Sequence, residues 1–506
     1  MALLGPLVKT ALNIHEKITH TTNHVEAQRD VLENLVDTAK NTSFGLYYDF
    51  KTILKSDDMG SAFAKAIPFH DYNMMNERWW EQMKTGNPNI AWPGLPKFLA
   101  RSSGTTGKKS KTIPVTDEMI AAIRNAGTKQ VSALTNFDLE AEVFESEVLA
   151  LGSSTDLEEK DGFTIGEISG ISASNIPEFL DTYYRPGREI SSIDDWDERV
   201  ERIAQEAKNW DIGMLSGIPS WLEMMLKQVM EFHKVDSIHE IWPNLSVYTS
   251  GGVAFEPYRS SFEKLFSKPV QIVDTYLASE GFIAAQQRPE TDAMQLLTDS
   301  GIYFEFVPFK PEYVEQDGSI SINAPVLNIS EVEEEVDYAL IISTVSGAWR
   351  YLIGDTIKFT DKERAEIKIT GRTKFFLNVV GSQLSVLKME TAITELQQKF
   401  DIQIKEFTVC AKKIDGDFYH VWYLGTDTDV SEKELMEALD QSLQEANKNY
   451  KVARSKALKG VQVHKVPEST FSDWNDHQKK KGGQVKMEKV MQEEKFKEWE
   501  DFVKNN

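Results

Sequence analysis

Short β-like runs alternate with helical stretches along the central part of the chain, and this alternation constrains the fold more than any other feature. The apolar runs that predict strands lie at residues 146–151, 245–249, 270–274, 301–307 and 339–344. Stretches with helical spacing of apolar residues lie between them, for example at residues 194–209 and 219–232. This pattern predicts a layered α/β architecture with binding loops at the carboxyl ends of the strands.

The pattern changes after Arg372 to a compact α+β arrangement that ends in a Lys/Glu-rich helix from about residue 486. A chain of 506 residues is also too long for one ordinary core. We therefore predict a large layered α/β N-terminal domain at residues 1–372 and a smaller α+β C-terminal domain at residues 373–506.

The net charge limits the partners that we expect, and the cysteine content limits the disulfides. A formal net charge of -23 argues against nucleic acids and anionic membranes as partners. The single cysteine, Cys410, excludes an internal disulfide framework and fits a reducing compartment. The first residues lack the features of a secretory signal, and no run of about eighteen apolar residues follows. We expect a cytoplasmic protein.

The segment RSSGTTGKKSKTIPVT at residues 101–116 combines hydroxyls, glycines and cations. Backbone amides at Gly104 and Gly107 can turn toward phosphate oxygens, and the lysines that follow supply positive charge. A predicted strand at residues 97–100 precedes the segment and a predicted helix from about residue 117 follows it, which is the strand–loop–helix geometry of a phosphate loop. The candidate phosphate-binding residues are Ser102, Ser103, Gly104, Thr105, Thr106, Gly107 and Lys108.

Two alternatives compete for this segment. A Walker A loop has four residues between its glycines, whereas only Thr105 and Thr106 separate Gly104 from Gly107, so the P-loop NTPase class is disfavoured. Clusters of this composition also occur in exposed loops without any chemistry. The assignment therefore depends on the motifs elsewhere in the chain.

Three further loops add the other parts of a nucleotide site. Gly251 and Gly252 follow a predicted strand in VYTSGGVAFEPY, where a flat base could approach the backbone closely. VDTYLASEGF supplies an aromatic residue, Tyr276, and a carboxylate, Glu280, while WRYLIGDTIKFT supplies Asp355. Taken singly, each could be an ordinary turn or a helix N-terminal charge. Together with the phosphate loop they predict an ATP site.

In these motifs the chain resembles the acyl-adenylate-forming superfamily, and within it the plant auxin-responsive acyl acid amido synthetases (the Gretchen Hagen family) and their bacterial relatives. We expect a bacterial member. The motifs that carry the resemblance are TSFGLYYDF (42–50), AIPFHDY (66–72), GNPNIAWPG (86–94), SSGTTGKKSKTIPVT (102–116), SGIPSWLEMML (216–226), TYLASEG (275–281), YLIGDTIKFTD (351–361) and GGQVKM (482–487). The chain departs from the family pattern in having YLASE for YASSE, YLIGD for YRVGD, and Glu488 and Lys489 in place of Pro-Arg.

The resemblance implies a ligase that forms carbon–nitrogen bonds with ATP and Mg²⁺ as cofactors. A carboxylic acid attacks the α-phosphorus of ATP and releases pyrophosphate, and an amine, usually an amino acid, then takes the acyl group and releases AMP. It also implies that Glu280 binds Mg²⁺, that Tyr276 faces adenine and that Asp355 binds ribose. Lys486 would reach the developing charge, and Arg372 belongs to a hinge sequence at residues 371–374, beside the nucleotide.

The acyl pocket is implied at residues 161–172 and 216–225, with Thr164, Ile168, Ile171, Ile218 and Trp221 as candidates. Most of these are equally good core residues, since Ile and Trp usually pack. No motif identifies the acid. Two other functions stay open, an acyl-CoA ligase that uses the same adenylate and a nucleotide-binding protein without catalysis.

Overall fold

The computed structural model describes residues 4–20, 23–102, 111–252, 255–310, 312–314, 319–321, 323–373, 384, 386–414, 417–447, 450–451, 453–454, 458–478, 487–491 and 493–505. None of the helices in these ranges is both long enough and apolar enough to span a membrane.

Mostly short helices build the N-terminal part. They are α1 (Leu4–Thr19), α2 (His24–Ala39), α3 (Ser43–Tyr47), α4 (Phe50–Ile53), α5 (Met59–Ala66), α6 (Tyr72–Met75) and α7 (Glu81–Lys84), with a π-helical turn at Asn76–Trp80. The side chains of Asn23 and Asp58 accept backbone amides at the starts of α2 and α5, as short polar residues at helix N-caps do.

The remaining helices are α8 (Asp117–Ala133), α9 (Ile168–Ser174), α10 (Arg188–Ser191), α11 (Trp196–Glu206), α12 (Pro219–His233), α13 (Arg259–Glu263), α14 (Val386–Phe400), α15 (Glu432–Ala446), α16 (Ser469–His477) and α17 (Glu493–Asn505). Single 3₁₀ turns lie at Leu134–Asn136, Ala141–Phe144, Glu178–Leu180, Ala207–Asn209, Ile238–Glu240 and Glu256–Tyr258.

The strands are β1 (Phe98–Ser102), β2 (Lys111–Val115), β3 (Glu147–Leu151), β4 (Glu158–Lys160), β5 (Phe163–Glu167), β6 (Tyr184–Arg185), β7 (Ile212–Gly217), β8 (Val247–Gly251), β9 (Gln271–Ala278), β10 (Gly281–Ala285), β11 (Met294–Leu296), β12 (Ile302–Pro308), β13 (Asp337–Thr344), β14 (Tyr351–Asp361), β15 (Glu366–Arg372), β16 (Phe407–Ile414), β17 (Asp417–Gly425) and β18 (Leu458–Val466). Each β-like run predicted between residues 146 and 344 overlaps a strand.

Eleven of these strands form one large sheet in the order β12-β13-β14-β15-β11-β10-β9-β8-β7-β3-β6. The strands from β6 to β9 pair in parallel, and the others pair antiparallel. Consequently β3, β7, β8 and β9 bring their carboxyl ends to one edge of the sheet. The layered α/β prediction is confirmed.

The surroundings of the predicted phosphate loop differ from the expected strand–loop–helix unit. Ser102 ends β1, and Lys111 begins β2, which pairs antiparallel with β1. The two strands belong to a separate four-stranded sheet in the order β2-β1-β5-β4, and α8 begins only after β2. The sequence prediction missed β2 because KTIPV contains a proline and follows a lysine-rich run, so it carries no clear strand pattern. The segment between Ser102 and Lys111 lies outside the described residues.

The third sheet, β16-β17-β18, belongs to the C-terminal part of the chain and has a core of its own, built with α14 and α15. An ion pair joins this part to the N-terminal part. Glu223 of α12 accepts hydrogen bonds from Lys405 Nζ at 2.8 Å and from Ser261 Oγ at 2.5 Å. Although burial raises the pKa of Glu223, hydrogen bonds from Lys227, Lys405 and Ser261 outweigh it, and the pKa is lowered.

A second pair of contacts continues this interface. Gln403 Nε2 donates to Ser260 Oγ at 2.7 Å, and the Tyr258 hydroxyl donates to Glu406 Oε1 at 3.3 Å. The division at residue 372 stays a prediction, because residues 374–383 lie outside the described ranges.

Candidate active site

Glycine is required where β8 reaches the carboxyl edge of the large sheet. A Cβ atom on Gly251 would lie 2.6 Å from Thr275 Oγ1 on the neighbouring β9. Gly252 has a φ of +84°, which side chains other than glycine rarely adopt. The chain therefore presents bare backbone at this edge, as the predicted adenine platform requires.

Tyr276, Asp355 and Arg372 form a hydrogen-bonded chain beside this platform. The Tyr276 hydroxyl donates to Asp355 Oδ2, and Arg372 Nε lies 2.7 Å from Asp355 Oδ1. The pKa of Tyr276 is raised well above its usual value, mainly by burial and secondly by the Asp355 carboxylate. The same carboxylate raises the pKa of Arg372. The structure thus brings together three residues that the sequence predicted separately.

Glu280 occupies the tight turn between β9 and β10. The following residue, Gly281, has a φ of +145°, and a Cβ there would lie 2.9 Å from Ile302 Cδ1. The pKa of Glu280 is raised to about 7, chiefly by burial and to a smaller extent by the Asp355 carboxylate. The Glu280 backbone amide and the cations of Arg372 and Lys111 act in the opposite direction. The predicted metal carboxylate is therefore a half-buried group that a positive charge would stabilise.

Sequence reasoning did not name Tyr351, Tyr72 or Lys84 as site residues, whereas Lys111 was among the lysines expected to supply positive charge to the phosphate loop. Tyr351 begins β14 and is buried; burial and then the Glu280 carboxylate raise its pKa well above the usual value. Lys111 Nζ lies 5.0 Å from the ring centre of Tyr72. The Tyr72 hydroxyl accepts a hydrogen bond from the Thr112 backbone amide at 3.2 Å. Burial lowers the pKa of Lys84, which also contacts Tyr72, to about 8. The only sequence signal was membership of Tyr351 and Tyr72 in the resembling motifs.

Seven of the predicted site residues lie outside the described ranges: Ser103, Gly104, Thr105, Thr106, Gly107, Lys108 and Lys486. Of the phosphate-binding candidates, Ser102 is described only as the last residue of β1. Their roles, and that of Lys374 in the hinge, stay predictions.

The predicted acyl-pocket residues fall into two groups. Thr164 lies in β5, and its hydroxyl donates a hydrogen bond to Glu159 at 2.6 Å. Ile171 lies in α9 and is fully buried in the main core. That burial favours the alternative assignment of Ile171 as a packing residue. Ile218 immediately precedes α12, and Trp221 lies in its first turn, where it packs against the core around α11 and α12.

Among the described residues, no three His, Cys, Asp or Glu side chains cluster as a metal site would require. A metal ion bound by the described residues would therefore need one or two carboxylates together with a ligand such as phosphate.

The fold is that of the adenylate-forming ligases. Solved structures of a GH3.15 acyl acid amido synthetase and of a 2-hydroxyisobutyryl-CoA ligase with 2-HIB-AMP resemble it, with TM-scores of 0.77 and 0.59. The first alignment covers 98% of this chain and 96% of the other at 16% identity, and the second covers 95% and 92% at 12% identity.

Family models place the chain more closely. The GH3 family N-terminal domain matches residues 13–202, the central domain matches 295–372 and the C-terminal domain matches 388–495. These matches cover most of the sequence, and the chain belongs to the GH3 family.

Curated relatives include the indole-3-acetic acid-amido synthetase GH3.8 of Oryza sativa subsp. indica, 24% identical over 50% of this chain and 44% of the relative. The jasmonoyl--L-amino acid synthetase GH3.5 of Oryza sativa subsp. japonica is 25% identical over 49% of this chain and 45% of the relative. The match spans less than half the length of either relative.

Proposed function

We propose that this protein is an ATP-dependent acyl acid amido synthetase. It adenylates a carboxylic acid with release of pyrophosphate and transfers the acyl group to an amino acid with release of AMP. The observation that carries the proposal is the meeting of Tyr276, Glu280, Asp355 and Arg372 at the carboxyl edge of an adenylate-forming fold. The names of the curated relatives support the amide product.

Asp355 is the proposed ribose-binding residue. A carboxylate has about four lone-pair positions, and Tyr276 and Arg372 each use one of them. The remaining positions can accept hydrogen bonds from two ribose hydroxyls, while the two protein donors hold the carboxylate in place. Adenine would lie against the backbone at Gly251 and Gly252, with Tyr276 at its side.

The reaction joins two anions, so the site must neutralise charge and hold the carboxylate in line with the α-phosphorus. Lys111 and the loop at residues 102–108 are the proposed partners of the departing pyrophosphate, and Lys486 is the proposed partner of the reacting carboxylate. Lys111 supports this role, because its charge already acts on Glu280.

The residues present fit Mg²⁺ bound with ATP. Glu280 is one carboxylate whose charged form is disfavoured by burial, and Mg²⁺ in nucleotide sites takes one or two carboxylates together with phosphate oxygens. We assign Glu280 as its protein ligand. When bound, Mg²⁺ would supply positive charge to the phosphates.

The C-terminal domain at residues 373–506 is proposed to move between the two half-reactions about a hinge at residues 371–374. The ion pair between Lys405 and Glu223 supports one docked arrangement of the two parts.

Formation of hydroxamate from ATP, Mg²⁺ and hydroxylamine across a panel of aromatic and aliphatic acids tests the proposal. An acid-dependent signal with release of pyrophosphate is expected. Replacing hydroxylamine with amino acids or with coenzyme A then separates an amido synthetase from an acyl-CoA ligase. Absence of hydroxamate with every acid, from protein that binds ATP, would leave only a nucleotide-binding function.

A further inference from the structure

Arg199 is a buried cation without a counter-ion. The residue lies in the first turn of α11 and is only 4% exposed. Its Nε is enclosed and has no hydrogen-bond partner, and none of the ion pairs found within the described part of the chain includes Arg199. A guanidinium is costly to bury unless an anion or several acceptors compensate it. The structure supplies neither among the described residues.

Aromatic rings line the surroundings of this guanidinium. Its central carbon lies 5.2 Å from the ring centre of Trp196, and the Trp196 ring lies 5.2 Å from that of Trp221 on α12. Both tryptophans are half-buried. A cation–π contact compensates part of the desolvation of Arg199, but it leaves the buried Nε without a hydrogen-bond partner.

Charges near Arg199 do not replace a counter-ion. Asp194 raises the pKa of Arg199, whereas burial, the larger effect, lowers it. Asp194 is exposed and forms no ion pair with the arginine. Asp195 accepts the Glu198 amide as the N-cap of α11, so its carboxylate is directed to the helix end.

The position of this cluster follows from the topology. β6 and β7 both run parallel to β3, so α11 carries the chain from the carboxyl edge of the sheet back to the amino edge. Its first turn therefore lies at the carboxyl edge, where α12 also begins after Gly217. Ligands of open α/β sheets bind at this edge.

The cluster is distinct from the nucleotide-binding residues. β7 and β9 are separated by β8, and a strand spacing of about 4.8 Å puts their ends roughly 10 Å apart. Tyr276 lies near the end of β9 and Glu280 lies in the turn after it, whereas Trp221 lies in α12, which follows β7. The acyl group of an adenylate bound at the end of β9 could thus extend toward Arg199. An acceptor bound beside Arg199 could likewise reach that acyl group.

We infer that Arg199, Trp196 and Trp221 form a binding site for a carboxylate that bears an apolar group. The inference rests on the proposed function, in which two carboxylates are at hand. A planar guanidinium binds carboxylates through paired hydrogen bonds, and the tryptophan rings suit an apolar substituent. The carboxylate held here is not the one that reacts, because that group must reach the α-phosphorus beside Asp355.

Two substrates could supply this carboxylate, namely the α-carboxylate of the acceptor amino acid or a second carboxyl group of a dicarboxylic acyl acid. The variant Arg199→Met separates them in steady-state assays. If the acceptor is the source, KM for the amino acid rises roughly 10- to 100-fold, while KM for hydroxylamine and for the amino acid amide stays unchanged. If the acyl acid is the source, the rise is confined to dicarboxylic acids.

A binding measurement tests this site independently of the proposed catalytic activity. N-acetylphenylalanine and N-acetylphenylalaninamide, which differ in the carboxylate, are titrated calorimetrically into the wild-type protein and into Arg199→Met. Selective binding of the acid by the wild type, lost in the variant, supports the site even if no hydroxamate forms. Equal binding of acid and amide, or an unchanged preference in the variant, overturns it.

Two further variants test the site in case Arg199→Met does not fold. Arg199→Lys keeps the charge but removes the paired donors, and Trp221→Leu keeps the arginine but removes one wall. Circular dichroism confirms that each is folded before titration. Both should weaken binding of the acid; full retention of affinity in both would show that Arg199 only packs against Trp196.

Discussion

Asp355 and Arg372 face each other as register partners on β14 and β15, and their side chains form an ion pair of 2.7 Å at the carboxyl edge of the large sheet. The pair is placed by the strands themselves, because Gly354 has a φ of +87° and the Thr373 amide donates to the Gly354 carbonyl at 2.8 Å. Backbone pairing therefore fixes Asp355, the proposed ribose acceptor, and its partner Arg372 without any bound nucleotide.

Replacing Asp355 with Asn tests its assigned role. The variant keeps the shape of the side chain but loses the ion pair with Arg372 and the charged acceptor for ribose. Hydrogen bonds to charged groups contribute about 1.5 to 3 kcal/mol, so the Kd for ATP should rise at least about tenfold by calorimetric titration. Asp361→Asn, at the more exposed end of the same strand, is the matched control and should bind ATP normally. Equal ATP affinity in both variants would contradict the assignment.

Glu280 should make the stability of the unliganded protein depend on pH. Its pKa is raised from 4.5 to about 7, so folding favours the protonated form, and this contribution is lost as pH rises through about 7. Glu280→Gln removes the effect and should be more stable than the wild type at pH 8.5 by up to roughly 2 to 3 kcal/mol. Near pH 4.5 the difference should be much smaller. Urea unfolding at both pH values measures it, and a pH-independent difference would refute the prediction.

The sequence predicted the layers and the strands of this protein well, since alternation and apolar spacing are local signals. It also predicted Tyr276, Glu280 and Asp355 as separate site residues. It did not predict that the Tyr276 hydroxyl binds Asp355, because β9 and β14 are not neighbours in the sheet: β10, β11 and β15 lie between them, so no local pattern links the two residues. The sequence did not single out Arg199 either, because the burial of a charged side chain depends on the packing of the folded chain.

Lys405 should stabilise the contact between the N-terminal and C-terminal parts. Lys405 is 10% exposed in its side chain and Glu223 is 4% exposed, so Lys405→Met leaves a buried carboxylate with fewer partners. We expect a loss of about 2 kcal/mol in urea unfolding, less than for complete removal of a partner because Lys227 still binds Glu223. The control Lys433→Met removes an exposed pair at 4.0 Å, which should contribute less than about 0.5 kcal/mol. Similar losses in both variants would argue against a stabilising interface.

Gly251 and Gly127 provide a matched test of the platform at the end of β8. A methyl group at Gly251 would lie 2.6 Å from Thr275 Oγ1 and disturb the hydrogen bond of that hydroxyl to the Ser250 carbonyl. Gly251→Ala should therefore cost about 1 to 3 kcal/mol and weaken ATP binding. At Gly127, within α8, nothing lies within 4 Å of the added atom, so alanine should stabilise the protein by about 0.5 to 1 kcal/mol.

Adding Thr275→Ala to Gly251→Ala removes the clashing hydroxyl and completes a double-mutant cycle for these neighbouring residues. If the close approach is the cause, the second substitution should restore part of the stability lost in the first and part of the ATP affinity. Strictly additive losses in urea unfolding would mean instead that Gly251 is needed for its backbone conformation, and the platform would then depend on the bend at Gly252 rather than on the contact with β9.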